Sequence, residues 1–152
     1  MSSRRARELP IITIGAAKFY LDLRLNEFRD VYNFANRINL DDLYETATGE
    51  YKCWFDQKEK NLFTGTQDAF HSNKNAIEIM LPSLEKMDPL GFVWLMEDEG
   101  WINAVDAKLK TEELLKEYTI HESGMILQRK PKQQPLLEKK SKRINKPRRK
   151  RL

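Results

Sequence analysis

The chain has few of the residues that form covalent bridges or metal centres. It contains one cysteine, Cys53, and two histidines, His71 and His121, among 152 residues. One cysteine cannot form an intramolecular disulfide, so an oxidising compartment would add nothing to the fold. No apolar run approaches the ~18–20 residues that span a bilayer. We therefore expect a cytoplasmic protein with no membrane association.

Acidic residues are nearly missing from the C-terminal end. Residues 129–152 hold 12 of the 27 lysines and arginines and one acid, Glu138, for a net charge of +11. Residues 9–128, in contrast, carry a net charge of about −9. Low hydrophobicity with high net charge predicts disorder. We therefore expect a flexible basic lead-in at 1–8, an acidic globular domain at 9–128 and a disordered basic tail at 129–152.

Two basic clusters hold most of the positive charge of the tail. Their members are Lys139, Lys140, Lys142, Arg143, Lys146, Arg148, Arg149, Lys150 and Arg151. Each phosphate that such a side chain neutralises releases counterions whatever the base sequence. The tail is therefore predicted to bind DNA or RNA without sequence preference, since it has no aromatic residue to stack on bases. The alternatives are a solubility tail, an arm that folds back on the acidic domain, or a nuclear import signal in a eukaryotic host.

The acidic domain suggests a different partner. The triple Glu97-Asp98-Glu99, close to Trp94 and Trp101, could bind a cation or a basic protein. A contiguous acidic triple more often ends a helix in solvent, and no calcium-loop spacing is present, so we predict no metal site. The second functional hypothesis is a protein-interaction or inhibitor module whose acidic surface, which could imitate a nucleic-acid duplex, engages a basic partner.

Catalytic patterns are missing as well. There is no glycine-rich phosphate loop and no nucleophilic serine turn. Neither His71 nor His121 has a second ligand at metal spacing. Cys53 alternates with Tyr51 and Phe55, which favours a buried, unreactive thiol over a nucleophile. We predict a protein that is not an enzyme and needs no cofactor.

Period-2 alternation indicates several strands. Phe19, Leu21, Leu23 and Leu25 share one face, and a hairpin is predicted to turn at residues 15–16. Residues 26–49 read as an ordered connection with an edge strand at 37–40 and a helical turn at 41–45 capped by its first residue. Residues 64–75 read as a long loop. Further strands are predicted at 11–14, 51–56, 62–63, 77–81 and 125–127.

Helix signals lie in the second half. Asp88-Pro89 is an N-cap followed by proline, which predicts a helix at 89–98. Thr111 is predicted to cap a second helix with Leu114, Leu115 and Tyr118 on its apolar face. Strands followed by helices favour an α+β fold. We expect a single small domain with one twisted antiparallel sheet of about four to six strands and two short helices.

The predicted core follows from these faces. Trp54 falls on the opposite face of its strand, so it should either line a second packing layer under a helix or form an exposed contact patch. The core residues are expected to include Ile12, Ile14, Phe19, Leu21, Leu23, Tyr51, Cys53, Phe55, Ile77, Ile79, Leu90, Val93, Leu114 and Leu115.

Two stretches carry a resemblance to a known group of proteins. They are residues 25–29 (LNEFR) with 36–38 (NRI), and residues 87–91 (MDPLG). Over residues 12–92 the chain resembles short uncharacterised proteins of Bacteroidetes bacteria that are often encoded near mobile elements, and it departs from them in the tryptophan-rich segment 92–101. That group has no assigned activity, so the resemblance transfers no site residue. It implies a bacterial host and argues against nuclear import.

Overall fold

The structure is a computed structural model that describes residues 4–130. It is an α+β fold with antiparallel strand pairing, as the sequence predicts. The strands are β1 (Ile11–Ile14), β2 (Ala17–Asp22), β3 (Glu27–Asp30), β4 (Arg37–Asn39), β5 (Tyr44–Glu45), β6 (Tyr51–Asp56), β7 (Asn61–Leu62), β8 (Ala76–Leu81), β9 (Tyr118–Ile120) and β10 (Ile126–Arg129). The helices are α1 (Gln67–Ser72), α2 (Leu84–Met87), α3 (Pro89–Asp98) and α4 (Ala104–Leu115).

The strands form three sheets rather than the single sheet expected. The first sheet is an antiparallel meander in the order β1-β2-β3-β4, and its first hairpin turns at Gly15, whose φ of 63° suits glycine. In the second sheet β6 pairs along its length with β8, while β5 and β7 share its other edge. The third sheet contains β9 and β10.

The main core lies where the first two sheets pack together. Phe19 of β2 makes edge-to-face contacts with Phe28 of β3 and Phe55 of β6, each with ring centroids 6.2 Å apart. A smaller cluster around Leu90 joins α3 to the third sheet. All fourteen predicted core residues are buried or partly buried, which confirms the core prediction. The predicted core omits several buried residues, among them Phe28, Ile38 and Ile126.

Three local predictions in the first half are wrong. Leu25 is exposed, because β2 ends at Asp22 and the following turn breaks the alternation. The helical turn is the 3-10 turn Leu40–Asp42, capped by the Asn39 side chain rather than by Asp41. Strand β3 was not predicted, although the edge strand beside it was.

The second half contains more helix than the composition suggested. The predicted loop at 64–75 contains α1, whose first turn is capped by the Thr66 hydroxyl. Helix α3 and its Asp88 cap are confirmed. Helix α4, however, is capped by Asn103 and already includes Thr111, which instead accepts a hydrogen bond from the Trp94 indole. None of the helices in the described part of the chain is both long enough and apolar enough to cross a membrane.

Residues 4–8 belong to the folded body, contrary to the expected flexible lead-in. Arg7 donates two hydrogen bonds to the buried Asp88 carboxylate, at 2.7 and 3.0 Å, and its guanidinium lies over the Trp94 ring. A side chain at Gly91 would collide with this pair, so glycine is needed there. Ile126 hydrogen-bonds to both Ala6 and Glu8. The segment therefore ties α3 to the third sheet.

Candidate nucleic-acid interface

The predicted nucleic-acid-binding residues lie outside the described part of the chain. These are Lys139, Lys140, Lys142, Arg143, Lys146, Arg148, Arg149, Lys150 and Arg151. The boundary predicted after residue 128 falls within β10. Arg129 is the last residue of β10 and its guanidinium lies 2.8 Å from Glu117, while the Lys130 N–H donates to the Glu117 carbonyl. We use the term basic arm for residues 131–152.

Gln128 and Arg129, close to the end of the described residues, lie beside the edge of the first sheet. Gln128 donates a side-chain hydrogen bond to the Leu9 carbonyl at 3.2 Å, immediately before β1. Arg129 and Ile11, the first residue of β1, line the same small depression of about 130 Å³. Ile11 in turn stands opposite Tyr20 on β2.

The outer face of the first sheet combines cations with aromatic rings. Tyr20, Arg29 and Arg37 stand opposite one another on β2, β3 and β4, and Lys18 follows on the same face of β2. Phe34, in the loop between β3 and β4, lies against this face with its ring centroid 6.3 Å from that of Tyr20. We call these five residues the aromatic-basic face.

Phe34 is held in place by two arginines. The Arg29 guanidinium lies 5.9 Å from the centre of the Phe34 ring, and Arg37 donates from Nε to the Phe34 carbonyl at 3.0 Å. The ring nevertheless remains 58% exposed. Tyr32, in the same loop, is 79% exposed. The loop thus presents two large aromatic side chains to solvent from a fixed backbone.

Asp30 fixes the loop that carries both rings. Its carboxylate accepts hydrogen bonds from the Tyr32 N–H at 2.8 Å and from the Asn36 amide at 3.1 Å. Burial by itself would raise the pKa of Asp30, but these donors and the nearby Lys60 charge hold the pKa below its ordinary value. Asn36 also donates to the Lys60 carbonyl at 2.7 Å, which links the loop to the second sheet.

The first sheet hides its negative charges. Asp22, Glu27 and Asp30 are the only acids between residues 9 and 40, and they are 6%, 9% and 4% exposed. Arg29 lies 2.9 Å from Glu27 and 3.5 Å from Asp22. Three of the four cations in this range, Lys18, Arg24 and Arg37, are exposed, so positive charge faces the solvent.

Acidic residues dominate the rest of the domain. Residues 41–128 contain eight basic and eighteen acidic residues, a net charge of −10. Within the acidic triple, Glu97 and Asp98 bind Arg4 at 3.1 and 2.9 Å, and Glu99 caps the end of α3. The pairing with Arg4 at the end of α3 accounts for the acidic triple, so no bound metal ion is needed to explain it.

The structure gives no support for a catalytic or metal-binding role of Cys53, His71 or His121. Burial raises the pKa of the Cys53 thiol to about 11, so the thiolate is scarce at neutral pH. His71 packs edge-to-face on Phe70, and His121 lies 2.9 Å from the Ser123 hydroxyl. Among residues 4–130, no group of three or more histidine, cysteine or acidic side chains could hold a metal ion.

Two other surfaces expose apolar side chains. Trp101, Val105 and Leu109 are spaced by four residues along α4 and the turn before it, and all three are exposed. On the second sheet, Trp54 stacks on Phe70 of α1 with ring centroids 4.2 Å apart. Trp54 therefore forms the second packing layer under a helix, one of its two predicted roles, and lines an open groove of about 670 Å³.

Comparison with known proteins finds no matching family, no curated protein of similar sequence and no similar solved structure. The chemistry of this chain's own residues is therefore the guide to its function. The two features with a chemistry suited to nucleic acid are the basic arm and the aromatic-basic face.

Proposed function

We propose that this protein is a non-enzymatic, nucleic-acid-associated accessory protein that contacts the phosphate backbone through its basic arm. The observation that carries the proposal is the separation of charge along the chain. Residues 131–152 hold ten lysines and arginines and one acid, whereas residues 41–128 carry −10. Most charge runs are solvated surfaces whose charge is balanced by neighbours of opposite sign, but this one has no comparable acidic segment beside it in the sequence.

Two polyanions can bind the arm: nucleic acid and the acidic part of the domain. The acidic part of the domain competes for the arm within the same molecule. Duplex DNA, however, carries one negative charge per ~1.7 Å of its axis, far denser than carboxylates spread over a domain surface. Nucleic acid should therefore win at low salt.

Salt titration of the full-length protein tests this proposal. Affinity for a labelled 20-base-pair duplex should fall by about 10³–10⁵ between 50 and 200 mM salt if six to ten phosphates are neutralised. Changing Arg148, Arg149, Lys150 and Arg151 to glutamine should lower the salt slope by about 3–4, since each phosphate contact contributes about 0.9. The order of affinities for different duplex sequences should stay the same.

A matched variant separates the arm from overall charge. Changing Lys58, Lys74, Lys108 and Lys110 to glutamine removes the same four charges from exposed positions on the domain. This variant should bind the duplex with nearly the wild-type salt slope. If both variants lose affinity equally, net charge rather than the arm governs binding, and the proposal is wrong.

The second candidate is a protein-interaction or inhibitor module. The exposed apolar stripe Trp101, Val105 and Leu109 supports it, because acids such as Asp106 and Glu112 lie on the same helix. This combination suits a partner with apolar anchors in a basic surface, including a protein that reads nucleic acid. A protein partner recovered with the arm variant after nuclease treatment, and lost on Leu109→Ala, would favour this candidate.

Location and host complete the proposal. We infer a cytoplasmic protein, because the single cysteine gives the fold no use for an oxidising compartment. The bacterial host is what the resemblance over residues 12–92 implies. Contact with DNA and contact with RNA are both compatible with a backbone-directed arm, since both present the same phosphates.

A further inference from the structure

We propose that the aromatic-basic face, together with Tyr32 of the same loop as Phe34, is a platform for single-stranded nucleic acid, on which Phe34 and Tyr32 stack against unpaired bases while Lys18 and Arg37 contact phosphates. This inference rests on the proposed function, because the basic arm supplies most of the electrostatic attraction. It adds a base-dependent contribution that the arm, which contains no aromatic residue, does not have.

The geometry suits stacking. Antiparallel strands spread Lys18, Tyr20, Arg29 and Arg37 over one face, and Phe34 lies against that face with more than half of its surface free. Base–aromatic stacking tolerates any sequence, because every base has a flat face. Arg29 stands 5.9 Å from the Phe34 ring centre and Tyr20 packs edge-to-face against it. The contacts with Arg29 and Tyr20 therefore orient the Phe34 ring in the absence of nucleic acid.

Charge selects a polyanion over other occupants. The three acids of the first sheet are buried, and two of them are neutralised by Arg29 at 2.9 and 3.5 Å. Lys18 and Arg37 remain exposed beside the rings, and the Arg37 guanidinium also lies 3.5 Å from the Glu27 carboxylate. A surface with aromatic rings and cations, and with its carboxylates withdrawn, complements a chain of phosphates and bases. An acidic peptide would match the cations but would leave the exposed rings without flat partners.

The single-stranded form is preferred over a duplex. In a duplex the bases are already stacked on each other, so side chains such as Tyr32 and Phe34 cannot reach their faces. A duplex also brings a higher charge density close to the −10 remainder of the domain. A single strand can follow the sheet while avoiding that region.

The last described residues lie near the aromatic-basic face. The arm starts after Lys130, and Arg129 lines the same depression as Ile11, which stands opposite Tyr20. Nine residues lead from Lys130 to Lys139, and they can reach at most about 30 Å. The first basic cluster can therefore hold the backbone of a strand whose bases lie on the sheet, which raises the local concentration of bases there.

The test uses the full-length protein and two probes that differ only in bases. One probe is a labelled 12-mer of deoxythymidine, and the other is an abasic 12-mer with the same phosphodiester backbone. The wild type should bind the thymidine 12-mer more tightly than the abasic 12-mer. Phe34→Ala and Tyr32→Ala should each weaken binding of the thymidine 12-mer by about 5- to 150-fold per lost stack. Binding of the abasic 12-mer and of a duplex should not change.

Two control variants distinguish loss of base stacking from a general effect of removing an aromatic side chain. Phe34→Tyr keeps a flat ring and should retain binding of the thymidine 12-mer. Tyr44→Ala removes a 67% exposed aromatic residue from the second sheet and should have no effect. Equal thermal unfolding of all variants checks that the fold is intact, which is expected because the substituted rings are largely exposed.

Two results would overturn the platform. One is a wild type that binds both 12-mers equally. The other is a Phe34→Ala variant that binds the thymidine 12-mer as tightly as the wild type, including the case in which Phe34 instead proves necessary for a protein partner. A different result would contradict the proposed function of the arm. In that case, duplex binding would not change when the four arm residues are substituted.

Discussion

The first sheet and the rest of the domain treat their carboxylates in opposite ways. Between residues 9 and 40 the three acids are buried and three of the four cations are exposed, whereas residues 41–128 carry eighteen acids, most of them exposed. One acidic domain therefore offers two surfaces of different chemistry. A net charge of about −9 over residues 9–128 conceals a face that a polyanion can approach.

The contrast has a structural cost, because a buried carboxylate needs partners. Asp22 and Glu27 depend on Arg29, and Asp30 depends on backbone and amide donors. In the acidic region one carboxylate, Asp88, is also buried, and Arg7 from the N-terminal segment neutralises it. Removing each partner shows how strongly each region relies on its ion pairs.

The largest effect is expected at Arg7. Arg7→Ala leaves Asp88 almost fully buried without its cation, and breaking such a pair costs about 3–5 kcal/mol of unfolding free energy. Denaturant unfolding at pH 7 measures the loss. Arg4→Ala is the matched control, since its pairs with Glu97 and Asp98 are more exposed and should contribute no more than about 1 kcal/mol. Equal losses at both positions would contradict the buried pair.

A smaller effect is expected at Arg29, which supports the first sheet. Arg29→Met leaves Asp22 buried without a cation and leaves Glu27 with only the half-exposed Arg37, 3.5 Å away, which should cost about 2–3 kcal/mol. Adding Glu27→Met should recover part of that loss, because one of the two buried negative charges is then removed. Arg129→Met, which breaks an exposed pair with Glu117, should cost less than about 1 kcal/mol.

The variants Arg29→Met and Arg129→Met also test whether the first sheet and the rest of the domain differ in how their carboxylates are buried. If Arg29→Met and Arg129→Met have equal effects on denaturant unfolding, the carboxylates of the first sheet are solvated in solution and the two regions do not differ in the proposed way. A loss confined to Arg29→Met would establish that the first sheet depends on hiding its acids.

Sequence patterns predict the parts of this fold that depend on local chemistry. Period-2 alternation located β2 and β6 because one face of each strand is buried, and Asp88-Pro89 located α3 because a cap and a proline act on the nearest turn. Strand β3 escaped prediction because it is four residues long and buries Glu27 and Asp30 beside Phe28. The alternation signal fails where carboxylates are buried.

The candidate site follows the same division. The basic arm is visible in composition alone, since unbalanced charge needs no fold to be recognised. The aromatic-basic face is not, because Tyr20, Phe34 and Arg37 come together only through the strand register and a loop held by Asp30. The Arg7–Asp88 pair, which joins residues 81 positions apart, is equally invisible to local patterns.

The smallest effect is expected at Asp30, whose partners are dipoles rather than an arginine. Because its pKa lies below the ordinary value in the folded protein, Asp30 stabilises the fold above the unfolded-state pKa of about 3.9, and this contribution is lost as the pH falls through the lower folded pKa. Asp30→Asn keeps one acceptor for the Tyr32 N–H but does not titrate. The variant should be less stable than the wild type at pH 7, and the difference in urea midpoint should shrink toward pH 2.5. A difference that stays constant with pH would mean that the Asp30 charge does not hold the loop that carries Tyr32 and Phe34.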